Sequence, residues 1–260
     1  MKLNHWHDVR DWYRAFLDAG SRADIVPLAY DWSSYKTVVL PTVLILSAAD
    51  TQRLADFAAA GGRVVVGYAT GLIDEHFHTW LGGYPGAGDG LLREMLGIRG
   101  EEFNILGTEA EGDPAEIRLS SGAVTRLWQN DVNVDGEHTQ VLATYEGEEA
   151  DEWELDGTAA VTRNPYGSGE AYFVGCDLYV ADLTKLVRAY LAASSQENAD
   201  VLHTVRASAD ATFDFYLPRG KKTVELQGIE GEPVILFQTD REEKPGSYTV
   251  RRNGVLVVRR

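Results

Sequence analysis

This sequence has little cysteine and fewer basic than acidic residues. Cys176 is the only cysteine among 260 residues, which excludes an intramolecular disulfide and a zinc site built on several cysteines. The 24 Lys and Arg residues stand against 40 Asp and Glu residues, giving a formal net charge of -16 at pH 7. Nucleic acids and anionic membranes attract basic surfaces, so we expect neither as a partner of this chain.

Long apolar runs are also missing. The longest, TVVLPTVLIL at residues 37–46, has about half the length of a membrane-spanning helix and contains a proline. The N-terminus carries no apolar segment of the kind found in secretory signals. We therefore expect a cytoplasmic protein, and its 44% of hydrophobic residues are enough for a sizeable core.

Hydrophobic periodicity indicates an α/β fold for the first part of the chain. Apolar residues recur at helical spacing over 7–19 and 49–60. Short apolar runs at 23–27, 36–41 and 63–68 are typical of buried strands. The order strand, helix, strand with short connections predicts a βαβ unit, and hence a doubly wound α/β layer.

The remainder of the chain favours β-structure. Residues 98–160 contain short strand-like pieces between acidic turns, and a helix is predicted over 182–193. The polar stretch 193–200 has no periodicity and is interpreted as a linker. Beyond it, apolar and polar residues alternate, which predicts a small antiparallel β domain. The predicted domains are therefore 1–195 and 196–260.

Residues 78–97, HTWLGGYPGAGDGLLREMLG, form a glycine-rich stretch that leads into a predicted helix. Such stretches often bind phosphate, but this one lacks the Lys-Ser/Thr pair of a P-loop. The spacing of Gly86, Gly88 and Gly90 also differs from that of a dinucleotide-binding fingerprint. The pattern favours a structural turn in which Gly and Pro shape the backbone, and we expect no cofactor.

The remaining polar residues predict neither a metal site nor a catalytic centre. Five residues resemble metal ligands: His5, His7, Glu75, His76 and His78. They lie at a helix start and in a loop, where solvated or hydrogen-bonding histidines are the better interpretation. Adjacent acids such as Glu101 and Glu102 face opposite sides of a strand, so we expect them on a solvated surface.

Cys176 is predicted to be a buried structural cysteine. It follows a single glycine and precedes Asp177, whose charge raises the pKa of a neighbouring thiol. A sharper strand-to-helix elbow is predicted at YATG, residues 68–71, but it offers neither Cys nor Ser as a nucleophile.

Several segments resemble the bacterial β-galactosidases of glycoside hydrolase family 42. The segments HWHDVRDWYRAFLDAGSRADIVP, GLIDEHFHTWLGGYPG and LREMLGIRGEEFNIL are similar to the middle domain of that family. The strands FDFYLP and GVLVVRR resemble its small C-terminal β domain. The resemblance covers nearly the whole chain, and the glycine-rich stretch belongs to it.

The resemblance implies a non-catalytic role. In such enzymes a (β/α)₈ barrel carries two glutamates that hydrolyse terminal β-D-galactosides with retention. The middle domain is similar in fold to class I glutamine amidotransferases, which are flavodoxin-like, and drives trimerisation. A barrel takes about 250 residues, for which the resemblance leaves no room here. We expect a segment that is inactive alone, with the parent's barrel and further copies of itself as partners.

Two other classes of function stay open. A carbohydrate-binding module could stack sugars on exposed aromatic residues, for which the candidates are Trp80, Tyr84, Trp128 and Trp153. A stand-alone enzyme of the amidotransferase-like fold could use Cys176 as its nucleophile.

The stretch 73–92 is the predicted subunit interface, because it combines apolar anchors and glycines with few charges. The candidate interface residues are Phe77, Trp80, Leu81, Tyr84 and Leu91. The alternative is that Trp80 and Tyr84 pack onto their own domain, in which case Trp6 and Trp12 become the next candidates.

Overall fold

The structure is a computed structural model and describes residues 3–105, 116–151, 154–191, 200–220 and 222–260. Its contacts divide the chain into two compact units. The first comprises Met1–Tyr13 and Ile25–Leu186, and the second comprises Arg14–Asp24 and Val187–Arg260.

The secondary structure contains both helices and strands. The helices are α1 (His5–Asp18), α2 (Ala48–Ala59), α3 (Leu91–Leu96), α4 (Glu148–Asp151) and α5 (Val180–Leu186), followed by a π-helical segment (Val187–Leu191). None of the described helices has the length and apolar character needed to cross a membrane. The strands of the first unit are β1 (Thr37–Leu40), β2 (Arg63–Gly67), β3 (Ile98–Ile105), β4 (Ile117–Leu119), β5 (Val124–Val134), β6 (Gln140–Glu146), β7 (Ala159–Tyr166), β8 (Gly169–Val174) and β9 (Cys176–Leu178).

The first unit is built on a mixed sheet in the order β1-β2-β8-β7-β6-β4-β5-β3, with β9 beside β5. Strands β1, β2 and β8 are parallel, whereas the strands from β7 to β3 pair in antiparallel fashion. The predicted βαβ unit is confirmed, because α2 connects the parallel strands β1 and β2. Ser47 caps this helix by accepting a hydrogen bond from the Asp50 amide at 3.1 Å.

A hydrophobic core lies between the helices and the sheet. Leu54 of α2 and Leu92 of α3 pack with Val64 of β2 and Phe173 of β8 in one buried cluster. Burial of such side chains is the main stabilising contribution in a domain of this size.

The structure differs from two of the sequence predictions. Residues 21–27 form an irregular loop rather than a strand, because Val26 packs against the core while Ile25 is exposed and Pro27 lacks an amide donor. The helix predicted over 182–193 begins at Val180 and becomes π-helical after Leu186. The predicted linker lies, apart from its last residue, outside the described residues.

The second unit contains the antiparallel sheet that the alternating pattern predicts. Its strands are β10 (Val201–Ala207), β11 (Thr212–Pro218), β12 (Val224–Leu226), β13 (Glu232–Arg241) and β14 (Tyr248–Arg259). The long strand β14 pairs with β11, β12 and β13, while β10 pairs with β11, so that the sheet curls. Its buried core includes Val224, Tyr248, Leu256 and Val258.

Candidate functional site

The carboxyl ends of β1, β2 and β8 meet at one edge of the sheet, which is where open α/β sheets commonly bind ligands. Polar residues of the first unit converge there on the buried face of α1. We call this group the edge cluster, and its members are Asp8, Asp11, Thr42, Tyr68, Arg126 and Asp177. Five of the six line a small cavity, and Arg126 contacts two of them from β5.

Helix α1 supplies two acids to the edge cluster because its buried face is partly polar. Asp8, Asp11, Trp12 and Ala15 are all buried and follow the i, i+3, i+4, i+7 spacing of one helical face. The sequence interpretation placed only apolar residues on that face and missed these acids. Asp8 and Asp11 precede Trp12 by four residues and by one residue, and this spacing could have placed them on its buried face.

The edge cluster is held by short polar contacts. The Thr42 hydroxyl donates a hydrogen bond to Asp8 Oδ2 at 2.6 Å. Arg126 Nε donates to Asp177 Oδ2 at 3.2 Å, and Arg126 Nη2 lies 3.7 Å from Asp11 Oδ2. The Arg126 guanidinium also lies over the ring of Tyr179, 4.4 Å from its centroid. Arg126 therefore contacts two of the three buried carboxyl groups of the edge cluster, those of Asp11 and Asp177.

Burial sets the ionisation of these acids. It raises the pKa of Asp177 to about 6, with Arg126 opposing the increase and the charge of Asp8 adding to it. Burial also raises the pKa of Asp8, against hydrogen bonds from Thr42 and Tyr68. The tyrosine pKa is itself raised by burial and by Asp177 and Asp8. Such shifts occur both in catalytic centres and in buried structural clusters. The size of the cavity beside these acids decides which of the two the edge cluster is.

That space is too small for a substrate. The cavity has a volume of about 10 Å³, which accommodates at most one water molecule. The predicted elbow is present as a strained turn, since Ala69 has a φ of 56° and is fully buried. Ala69 places a methyl group at the position where an enzyme of this fold would need a nucleophile.

Cys176 does not supply the missing nucleophile. It is 1% exposed, and burial raises the pKa of its thiol to about 12, with a further contribution from the charge of Asp177. A protonated thiol in a closed core is unreactive, so the geometry does not favour the stand-alone enzyme.

The histidines that resemble metal ligands make other contacts or are exposed. His5 Nδ1 lies 2.9 Å from the carbonyl oxygen of Pro41, to which its N–H can donate, and His7 pairs with Asp11. His76 and His78 are exposed on a loop with their ring centroids 6.2 Å apart. Within the described ranges, no three His, Cys, Asp or Glu residues group in a way that could hold a metal ion.

The five candidate interface residues divide into two sets. Phe77 and Leu81 are 75% and 88% exposed, which is unusual for side chains of this size. Trp80, Tyr84 and Leu91 pack against the core of their own unit. Trp80 Nε1 donates to the Leu46 carbonyl at 3.3 Å, and the ring of Tyr84 meets that of Phe173 edge-on.

The loop that carries Phe77 and Leu81 is firmly held. Asp74 Oδ1 accepts hydrogen bonds from the amides of His76 and His78, both at 2.8 Å. Gly86 lies so close to Trp80 that a Cβ atom there would be 2.4 Å from the Cβ of the tryptophan. The loop that leads into the glycine-rich stretch, together with the start of that stretch, therefore presents two apolar side chains, Phe77 and Leu81.

The aromatic candidates for sugar stacking are mostly covered. Trp128 is 3% exposed, and Trp80 is occupied by the core. Trp153 lies outside the described residues. The carbohydrate-binding alternative is therefore not favoured.

Of the reserve interface candidates, Trp6 is 65% exposed whereas Trp12 is buried.

The fold is an α/β domain followed by an antiparallel β domain, and the edge cluster closes around a cavity of about 10 Å³. Residues 1–197 match the family described as the β-galactosidase trimerisation domain. The chain belongs to that family.

Relatives and solved structures agree with this assignment. The chain is 35% identical to β-galactosidase BbgII of Bifidobacterium bifidum over 266 residues, covering 100% of this chain and 37% of the relative. It is 31% identical to a β-galactosidase of Arthrobacter sp., covering 78% of this chain and 28% of the relative. The β-galactosidase structure from Bacillus circulans sp. alkalophilus superposes with a TM-score of 0.79 at 23% identity, covering 99% of this chain and 38% of that one. The chain thus covers between 28% and 38% of the length of these relatives.

Proposed function

We propose that this chain forms a homotrimer and serves as the trimerisation and C-terminal portion of a family 42 β-galactosidase. The parent enzyme would hydrolyse terminal β-D-galactosides with retention in a catalytic barrel, which is the second partner of this segment. The segment itself provides assembly and no chemistry. We further propose that the enzyme is cytoplasmic.

The observation that carries this proposal is the exposure of Phe77 and Leu81 on a firmly held loop. Large apolar side chains exposed on a rigid backbone are typical of subunit interfaces, because covering them releases water at little cost in conformational entropy. The family assignment supports a second copy of the chain as the group that covers them. Trp80, Tyr84 and Leu91 would support the interface from beneath.

We also propose that the first domain has the doubly wound, flavodoxin-like fold of class I glutamine amidotransferases. The three parallel strands and the strained turn at Ala69 support this proposal. The proposed domain limits are 1–195 and 196–260.

The loop is tested by a double variant, Phe77→Lys with Leu81→Lys. Both side chains are exposed, so the fold should tolerate the change, while two charges in the interface should weaken trimerisation by about tenfold or more. Sedimentation over a concentration series measures the dissociation constant. Val141→Lys is the matched control, because Val141 is also exposed, at 45%, and lies on strand β6.

An unchanged dissociation constant in the double variant would exclude the loop from the interface. Trp80→Ala with Tyr84→Ala is a poorer test, because both rings pack against the core and their loss would destabilise the monomer.

A further inference from the structure

Strand β3 carries a second exposed apolar surface in the first unit. It ends the sheet, pairing with β5 along its length from Ile98 to Ile105. On its other side, the described residues provide one bridge, between Tyr84 and Gly100. Beyond that bridge, Phe103 and Ile105 are 49% and 38% exposed. We call these two residues, together with the side of β3 over 101–105 that no described residue pairs with, the stack surface.

Phe103 is held rigidly by a column of rings. It stacks on Trp128 with centroids 4.7 Å apart and planes inclined by 9°. Trp128 stacks in turn on Tyr68 at 5.8 Å, and its Nε1 donates to Asn130 Oδ1 at 3.0 Å. An aromatic ring fixed in this way loses little freedom when it is covered, which is the property of an interface anchor.

Symmetry requires a second surface of this kind. A closed trimer is a head-to-tail ring in which one surface of each subunit contacts a different surface of the next. The exposed loop supplies only one of the two. Direct pairing of β3 with the β3 of another copy would need a two-fold axis, which a three-membered ring does not contain. Within a closed trimer, a copy of this chain would therefore cover the stack surface with side chains of a different segment.

The two surfaces are also both apolar. The loop presents Phe77 between the exposed imidazoles of His76 and His78. On β3, Glu101 accepts a hydrogen bond from Asn133 and Glu102 lies opposite Asp131, which places both acids on the sheet face away from Phe103. The stack surface therefore presents the apolar side chains of Phe103 and Ile105 on its own face, which suits the apolar Phe77 and Leu81.

We propose that the stack surface of one subunit receives the exposed loop of a second copy of this chain, with Phe77 and Leu81 packing against Phe103 and Ile105. The proposal rests on the proposed trimer and names its two contacting surfaces.

Two variants that each lose one surface test the pairing. The loop variant is Phe77→Lys with Leu81→Lys, and the stack variant is Phe103→Lys. Each alone should be a monomer of 28.6 kDa at micromolar concentration. Mixed in equal amounts at higher concentration, they should form a dimer, because one intact loop can still meet one intact stack surface. Light scattering measures the masses, and Val141→Lys again serves as the control.

Each outcome decides a different point. A wild-type chain that is itself a monomer contradicts the proposed function. A wild-type trimer that persists in the stack variant excludes the stack surface while the proposed function stands. Two monomeric variants that fail to combine show that the loop and the stack surface do not contact each other. Should Phe103→Lys disturb the ring column and the fold, Ile105→Lys repeats the test at the second exposed residue, and thermal unfolding verifies its fold.

Discussion

At the scale of single residues, Asp177 links ionisation to stability. Its carboxyl group has a raised pKa of about 6 in the folded chain, compared with an ordinary value of 3.8. The folded state therefore binds a proton more tightly than the unfolded state. The free energy of unfolding should fall as the pH rises from about 4 through about 6, and the loss should be complete above that range.

We predict that Asp177→Asn reduces this pH dependence. A difference of about two pKa units corresponds to roughly 3 kcal/mol for Asp177 alone. Asp8 should retain a separate pH dependence in the variant, because burial raises its pKa as well. Urea unfolding between pH 4 and pH 8 measures the slope. The exposed Glu137→Gln is the control, and a slope that is the same in both variants would show that Asp177 does not carry the effect.

The sequence predicts single residues unevenly. Cys176 is buried, as predicted. Its burial could be predicted because the apolar neighbours and the lack of the glycines of a nucleophile elbow are visible in the local sequence. Asp8 and Asp11 were missed because their partners, Thr42 for Asp8 and Arg126 for Asp11, lie far away in the sequence. The sequence could not show that Phe77 is exposed whereas Trp80 is packed, since both are large apolar residues of one loop.

At the scale of elements, the connection from α3 to β3 positions the proposed stack surface. Gly97 ends α3 in the left-handed conformation, with a φ of 64°, and its amide donates to the carbonyl of Arg93 at 2.8 Å. A Cβ atom at this position would lie 2.0 Å from Thr139 Oγ1 and 2.9 Å from Asn164 Cγ. Backbone freedom and close packing therefore both require glycine here.

We predict that Gly97→Ala destabilises the chain more than Gly122→Ala. Gly122 has a φ of 78°, and no atom lies within 4 Å of the place that an alanine methyl group would take, so its substitution isolates the backbone cost of about 1–2 kcal/mol. Gly97→Ala adds overpacking, which raises the cost by roughly 1–3 kcal/mol. Urea unfolding compares the two variants, and equal losses would contradict the packing argument.

The predicted elements are most accurate where periodicity is strong. The unit of β1, α2 and β2 is predictable because its apolar runs, helix cap and glycines agree. The strand predicted at 23–27 was wrong, because a short apolar run before a proline also suits a loop that packs one side chain. The mixed sheet order beyond β2 depends on long-range pairing that no local pattern encodes.

At the scale of the whole molecule, the chain alone should show no catalytic activity. Retaining glycoside hydrolysis needs two carboxyl groups about 5 Å apart that face a bound sugar. The edge cluster instead surrounds a cavity of about 10 Å³. We predict no hydrolysis of an aryl β-galactoside above background by the purified chain. Turnover that is lost in Asp8→Asn or Asp177→Asn would reveal a site that this cavity does not explain.

Assembly is the central claim, and the molar mass of the wild-type chain in solution tests it most directly. The exposed loop and the stack surface should bury each other in a closed ring. Light scattering on the purified chain at micromolar concentration should therefore give three times the chain mass of 28.6 kDa. A mass equal to that of one chain, unchanged as the concentration rises, would contradict the account.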